Sequence, residues 1–230
     1  MATAVRVHGS PPCEVGQRLV VGRSGPLEGT LGCAEFDTAA TADAPGILAT
    51  GRPETKAYRH DLGEVEVFLE PRLAPAQLVV MSASPVGLEL LRLARDLGYE
   101  TVLVEPRSDR ITGAHRREAD AVCSTLAEVA IDERTDAVHT DHDAPDVAES
   151  VAALLKSPAR FIGVMGSKRH VGPYVERLRS MGFSDDDLTR VRTPVGLDIG
   201  ARSPAEIALS IAAGLVAAQH GRSGAWLDRD

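Results

Sequence analysis

From about residue 76 onward, apolar residues come in short unbroken runs, separated by stretches in which apolar positions recur every three or four residues. A strand buried on both faces has no polar side to show, whereas a helix lying on a sheet buries only one stripe. The alternation therefore predicts parallel strands covered by helices. The strand runs are Leu78 to Met81, Thr101 to Val104, Ala137 to His139 and Phe161 to Val164. Between the first two, Leu90, Leu91, Ala94 and Leu97 fall at helical spacing over Val86 to Leu97, and Gly98 supplies a stop, which makes a βαβ unit. The most clearly signalled helix follows Ser203. Pro204 takes its first position, and Glu206 completes a capping box ahead of Ile207, Ile211, Leu215 and Val216. This helix is expected to be long and largely buried.

The segment from Val5 to about Leu73 is patterned differently. Gly, Pro and Thr punctuate short β-favourable runs, Arg18 to Val21 and the cleanly alternating Val65 to Leu69. Thr38 to Thr50 is alanine-rich and predicts either a helix or a loop. Pro71 and Pro75 bracket a linker. The expected architecture is thus α/β, with a smaller N-terminal β-rich domain over residues 1–73 and a parallel-sheet domain over residues 76–230. Arg222 to Asp230 is expected to form a loosely held tail.

Composition narrows the partners. A 230-residue chain with 43% apolar residues can build a core, which excludes disorder as its main state. Its net charge of −8 offers no basic stripe for a phosphate backbone, so duplex nucleic acid is not an expected partner. No run approaches the roughly 20 apolar residues needed to span a bilayer, and Met1 to Ser10 carry no signal-peptide apolar run, so the expectation is a cytoplasmic protein without a membrane span. Cys13, Cys33 and Cys123 are odd in number and form no CxxC pair, which argues for thiols rather than disulfides or structural zinc.

Four turns could carry chemistry. Met81-Ser82-Ala83-Ser84-Pro85-Val86-Gly87 stands where a dinucleotide fold has GxGxxG, but serine fills the first two glycine places and only Gly87 remains. Serine there restricts a tight turn and crowds a pyrophosphate. Glu105, ending the second strand, is placed to bind a ribose hydroxyl; the alternatives are a nucleotide site, or a structural turn with Glu105 in solvent. The stretch from Gly163 to Arg169 follows a strand and leads into a helix through Val175 and Leu178. Its Gly166, Ser167, Lys168 and Arg169 gather backbone N–H groups, a hydroxyl and two cations, either around an anion or simply in water. Asp141, His142 and Asp143 follow a third strand. They read as an acid–base or metal group, or as Asp143 capping the next helix. Asp198 is an isolated carboxylate between Gly196 and Gly200, either in a ligand contact or accepting backbone N–H bonds.

At this level the residues resemble a known family. Phe161 to Arg169 (FIGVMGSKR), Pro194 to Ala201 (PVGLDIGA) and the helix start at Ser203 are similar to the C-terminal Rossmann domain of the XdhC/CoxI family. Thr140-Asp141-His142-Asp143 resembles that family's Thr-His-Asp-His with the His and Asp places exchanged, and Glu105-Pro106-Arg107 resembles its Asp-Pro-Arg. The N-terminal domain is similar through Gly9 to Pro12, Gly29 to Glu35 and Val65 to Pro71. Two departures fall on ligand contacts: the family's Gly-Ala-Gly-His-Val-Ala turn is Ser82 to Gly87 here, and its Cys-Gly-Gly before Val65 is absent. Cys33 matches the family's Gly-Gly-Cys position.

The resemblance implies a maturation factor and chaperone for a molybdenum hydroxylase such as xanthine dehydrogenase, acting by binding more than by catalysis. It implies molybdenum cofactor (molybdopterin) as ligand, with Gly166, Ser167, Lys168 and Arg169 on its phosphate and Cys33 near the metal. A thiolate can ligate molybdenum or accept sulfur, whereas a buried Cys33 would serve only as a small hydrophobe. The implied partners are the hydroxylase apoenzyme, a cysteine desulfurase and a second copy in a homodimer. Two competing readings stay open: an NAD(P)-dependent oxidoreductase using Glu105 for the nucleotide and His142 for protons, and a docking scaffold with no ligand.

Overall fold

The structure is a computed structural model that describes residues 1–22, 24–72, 74–166 and 173–227. It divides into two compact units, Met1–Ala74 and Pro75–Asp230.

The first unit is a five-stranded antiparallel sheet with one helix. Strands β1 (Ala2–Gly9), β2 (Arg18–Gly22), β3 (Gly25–Gly29), β4 (Glu54–His60) and β5 (Gly63–Leu69) are ordered β3-β2-β1-β5-β4, and α1 (Ala34–Thr50) lies between β3 and β4 in the chain. The alternation in β5 places Val65, Val67 and Leu69 inward, where they meet Ala2, Ala4 and Leu19 of the sheet and Phe36, Ala40 and Ile47 of α1. The stretch beginning at Thr38 is thus helical, and the helix starts four residues earlier. It ends at Gly51, whose left-handed backbone lets its N–H return to the Ile47 carbonyl at 3.0 Å.

The second unit holds β6 (Gln77–Met81), α2 (Pro85–Asp96), β7 (Glu100–Val104), α3 (Gly113–Glu118), β8 (Ala121–Cys123) and β9 (Thr135–His139). These are followed by α4 (Val147–Leu155), β10 (Phe161–Val164), α5 (Tyr174–Ser180), α6 (Asp185–Leu188), β11 (Val191–Arg192) and α7 (Pro204–Gln219). All six strands are parallel, in the order β11-β10-β9-β6-β7-β8. The unbroken apolar runs feed both faces. Val79, Met81, Val102, Val104, Ala137 and Ile162 pack with α4 and α5, while Leu78, Val80, Leu103 and Val138 pack with α2 and α7. The sheet is the expected Rossmann-like one, and the strands flank the predicted runs by two residues at most.

Helix α7 forms the predicted capping box, with the Glu206 N–H donating to Ser203 Oγ and the Ser203 N–H donating to Glu206. It is not largely buried. Ala208, Ser210, Ile211, Ala212 and Leu215 face inward, while its first turn, Leu209 and its last residues are exposed, because only one face lies against α2.

One charge is buried at the amino end of β9. Asp136 has a side chain only 2% exposed and receives Arg160 Nε at 2.9 Å, Arg160 Nη2 at 2.7 Å and the Tyr99 hydroxyl at 2.8 Å. The bidentate guanidinium ties β10 to β9, and Tyr99 ties in the α2–β7 turn. Removing the carboxylate leaves the partly buried guanidinium and the Tyr99 hydroxyl without their partner, so Asp136→Ala should cost about 1–3 kcal/mol in urea unfolding. A change within the error of the wild type would show that these groups do not hold the sheet.

Candidate functional site

The strand order turns back between β6 and β9: β7 and β8 lie to one side, β10 and β11 to the other. In open parallel sheets such a switch point leaves a crevice beyond the carboxyl ends of the strands, where ligands bind. The two turns that meet there are residues 82–84, after β6, and residues 140–142, after β9.

Serine does not prevent the tight turn after β6. Ser82 is buried and keeps a glycine-like φ of 88°, in the left-handed region that side chains rarely adopt. Its N–H donates to the Val104 carbonyl at 2.9 Å, extending the sheet past the end of β6. Ser84 has become the N-cap of α2, its Oγ accepting from the Gly87 N–H at 2.9 Å and donating to Thr140 Oγ1 at 2.9 Å. Gly87 keeps the close helix-to-strand packing of the third motif glycine, since a Cβ there would stand 2.6 Å from the Ser82 carbonyl oxygen.

Glu105 lies in neither place expected of it. It is neither solvated nor open to a ribose; its side chain is 0% exposed. Its carboxylate accepts from the Ala83 N–H at 2.9 Å, the Arg107 N–H at 3.0 Å, and Arg107 Nε and Nη2 at 2.6 and 3.1 Å. Burial pushes its carboxyl up, but the Arg107 guanidinium and the two backbone N–H groups prevail and hold it below the usual carboxylate range. The middle N–H of the dinucleotide-type turn is thereby consumed inside the protein.

The network continues across the crevice. Arg110 Nη1 reaches Asp141 Oδ2 at 3.0 Å, and Arg107 Nη2 lies 3.5 Å from the same oxygen and from Ser82 Oγ. Asp141 is desolvated, yet Arg110, the Asp143 N–H and Arg107 keep its carboxyl low. His142 does not sit between two carboxylates as a relay. Its Nε2 is 3.6 Å from the exposed Asp143, too long for a hydrogen bond, and its buried Nδ1 has no partner among the described residues. Asp143 is not a cap either, because α4 begins at Val147 with Asp146 before it. Nor do these three converge as a metal group among the described residues.

Gly166 stands just beyond β10, a Cβ there being 3.4 Å from Thr193 Oγ1. Ser167, Lys168 and Arg169 lie outside the described residues. Asp198 is exposed in the loop before α7, which is anchored by the Val195 N–H to the Val164 carbonyl at 3.1 Å and by Ser210 Oγ to the Leu197 carbonyl at 2.5 Å. Cys33 belongs to the first unit, where it is the N-cap of α1 and packs partly buried against that core. Burial pushes its thiol up, and the neighbouring Glu35 carboxylate adds to this. All three cysteines are free thiols.

Arg107 and Thr140 entered the sequence reading only within the family motifs, and Arg110 and His139 were not singled out as site residues. His139 ends β9 at 1% exposure, its Nδ1 accepts the Asp141 N–H at 3.3 Å, and burial pulls its imidazole pKa down. Only a polar residue terminating an apolar run, as His139 does, signalled it.

Residues 78–215 match the XdhC Rossmann domain and residues 1–59 match the XdhC and CoxI family. The chain belongs to the XdhC and CoxI family. The chain is 24% identical to the uncharacterized protein YqeB of Escherichia coli over 97% of its own length and 44% of that protein. It is 26% identical to a probable xanthine dehydrogenase subunit of Bacillus subtilis over 64% of its length and 43% of that protein. The chain thus spans less than half the length of these curated relatives. A crystal structure of a xanthine dehydrogenase from Bacillus halodurans shares the fold, with a TM-score of 0.55 at 20% identity over 96% of this chain and 91% of that one. No helix among the described residues of this XdhC-family chain is long and apolar enough to cross a membrane.

The lowered Glu105 carboxyl fixes the sign of a pH effect. A carboxylate favoured by folding adds stability above its ordinary pKa of about 4.3, and that stability is lost as pH falls through the folded value. Glu105→Gln should lose about 1–3 kcal/mol in urea unfolding at neutral pH, part of the charge interaction being screened at the partly exposed Arg107. The gap to wild type should narrow as pH is lowered below the carboxylate range; a gap independent of pH would mean that the charge of Glu105 is not its source.

Proposed function

We propose that this chain is an accessory protein of a molybdenum hydroxylase, binding the molybdenum cofactor and assisting its sulfuration or its insertion into the apoenzyme. Family membership along both units supports an accessory role beside xanthine dehydrogenase. The single observation that carries the ligand-binding part lies in the turn after β9, beside the reversal of strand order, where the buried Nδ1 of His142 has no partner among the described residues. A buried polar atom left unpaired costs free energy unless something outside the protein satisfies it. A polar heterocycle rich in donors and acceptors, such as a pterin, fits that requirement.

In this reading the ligand occupies the β9–β10 side of the crevice. His142 supplies a ring nitrogen, and Asp198 a carboxylate for ring N–H groups. Gly166 gives a turn with no side chain in the way, and Ser167, Lys168 and Arg169 supply the hydroxyl and positive charge for a phosphate. Asp141 is held by Arg110 and Arg107, so its part is to keep the turn before His142 in place. When bound, the cofactor supplies the metal chemistry that the client enzyme later uses. Cys33, in the first unit, is the thiol proposed to carry sulfur, and it does so as the thiolate, against the burial that pushes its pKa up. A cysteine desulfurase is the proposed source of that sulfur. The nucleotide reading has less support, because Glu105 is engaged by four hydrogen bonds within the protein.

Purified protein incubated with molybdenum cofactor and then desalted should retain pterin, measured by fluorescence after acid–iodine oxidation. His142→Ala and the double variant Lys168→Ala, Arg169→Ala should each weaken retention roughly tenfold or more, the cost of losing a hydrogen bond to a charged or buried partner. Absence of pterin in the wild type, or unchanged retention in both variants, would overturn the proposal.

A further inference from the structure

The start of α1 and the end of β4 bring together three side chains of different donor type. Cys33 is the N-cap of α1, Glu35 lies in its first turn, and His60 closes β4 at the hairpin to β5. A ligand atom from each, the sulfur, a carboxylate oxygen and a ring nitrogen, lies within 4.8 Å of the other two.

The arrangement is held by groups that do not belong to it. Asp37, the other acid of the first turn, is taken up by Thr30 Oγ1 at 2.8 Å and the Leu31 N–H at 2.7 Å, which fixes the loop ahead of Cys33. Gly32 lies so close to the Pro12 carbonyl that a Cβ would stand 1.8 Å from its oxygen, so the turn into Cys33 has no room to drift. The His60 ring rests tilted on the buried Phe36 ring at 5.8 Å between centroids, which places the imidazole one turn along α1 from Cys33. Glu35 is exposed, with solvent around it in which to turn.

We propose that Cys33, Glu35 and His60 form a site for one divalent transition ion of the zinc class, carried by the first unit alone. Thiolate, imidazole and carboxylate are the donors such an ion takes, whereas magnesium and calcium require oxygen throughout. Metal–sulfur and metal–nitrogen bonds of about 2.3 and 2.0 Å place tetrahedral ligand atoms about 3.5 Å apart. The three ligand atoms, within 4.8 Å of one another, draw together on binding. His60 Nδ1 now accepts the Leu62 N–H at 3.1 Å in an exposed turn, and ligation by either ring nitrogen passes that N–H to water. On binding, the Cys33 S–H bond breaks, a sulfur–metal bond forms and the proton leaves to solvent. Three protein donors leave a fourth position for water. An ion held there occupies the thiol that the proposed function assigns to sulfur transfer, so the two uses of Cys33 exclude each other in time.

The full chain, reduced and stripped with a chelator, is titrated with Co²⁺. The expected result is a near-ultraviolet thiolate-to-cobalt charge-transfer band that saturates at about one ion per chain and is bleached by Zn²⁺. Cys33→Ser should abolish the band, and Cys13→Ser and Cys123→Ser should keep it. His60→Ala and Glu35→Gln should weaken binding roughly tenfold or more, since even outer-shell losses cost that much. No band in the wild type, or full-strength binding in Cys33→Ser or in both His60→Ala and Glu35→Gln, would overturn the site. Should Cys33→Ser fail to fold, the Glu35 and His60 variants decide alone. Pterin read on the same samples separates this result from the other proposal, since a chain that binds cobalt but no pterin keeps the ion site and loses only the pterin reading.

Discussion

Glu105 enters the interior at the end of β7 as a negative charge, and the carboxyl edge of the sheet is arranged around satisfying it. An ionised carboxylate out of water is tolerated only with a full set of partners, and it takes them from two turns at once: the Ala83 N–H after β6, and the backbone and guanidinium of Arg107 after β7. Arg107, so placed, also faces Asp141 beyond β9, and Arg110 completes the link. The three turns are thus coupled through one buried charge. The same coupling moves any ligand chemistry away from the β6 turn, whose N–H is already spent, and toward the β9 and β10 turns.

Most of the second unit was legible in the sequence, because its strands are buried on both faces and so appear as unbroken apolar runs. The helices between them repeat at 3.6 residues. The first unit was less so. Strand β1 turns Ala2 and Ala4 inward, and small residues give almost no alternation signal. Strands β8 and β11 are three and two residues long, too short for any period. Helix α1 contains Pro45 and carries apolar residues on several sides, which left a helix and a loop equally open.

The candidate site was legible as a place and not as a set of roles. Position in the chain put residues 82–87, 105, 141–142 and 166 at strand ends, and the parallel sheet brings those ends to one edge. What the sequence could not convey is which charges face each other. Glu105 and Arg107 are two residues apart and look like a solvated pair; only the turn between them reveals that one is buried and the other bridges to Asp141. Asp143 and Asp146 are equivalent by composition, and the length of the turn before α4 decides that neither caps it through a side-chain bond. Conversely, Ser84 looked like a damaged glycine and is a helix cap.

Ser82 holds a glycine's backbone shape without being glycine. The sheet, the Glu105 network and the packing at Gly87 impose that shape on whatever residue is there, so the conformation is a property of the surroundings. Their packing offsets the strain that a side chain meets at a positive φ, so the tight turn is kept without a glycine.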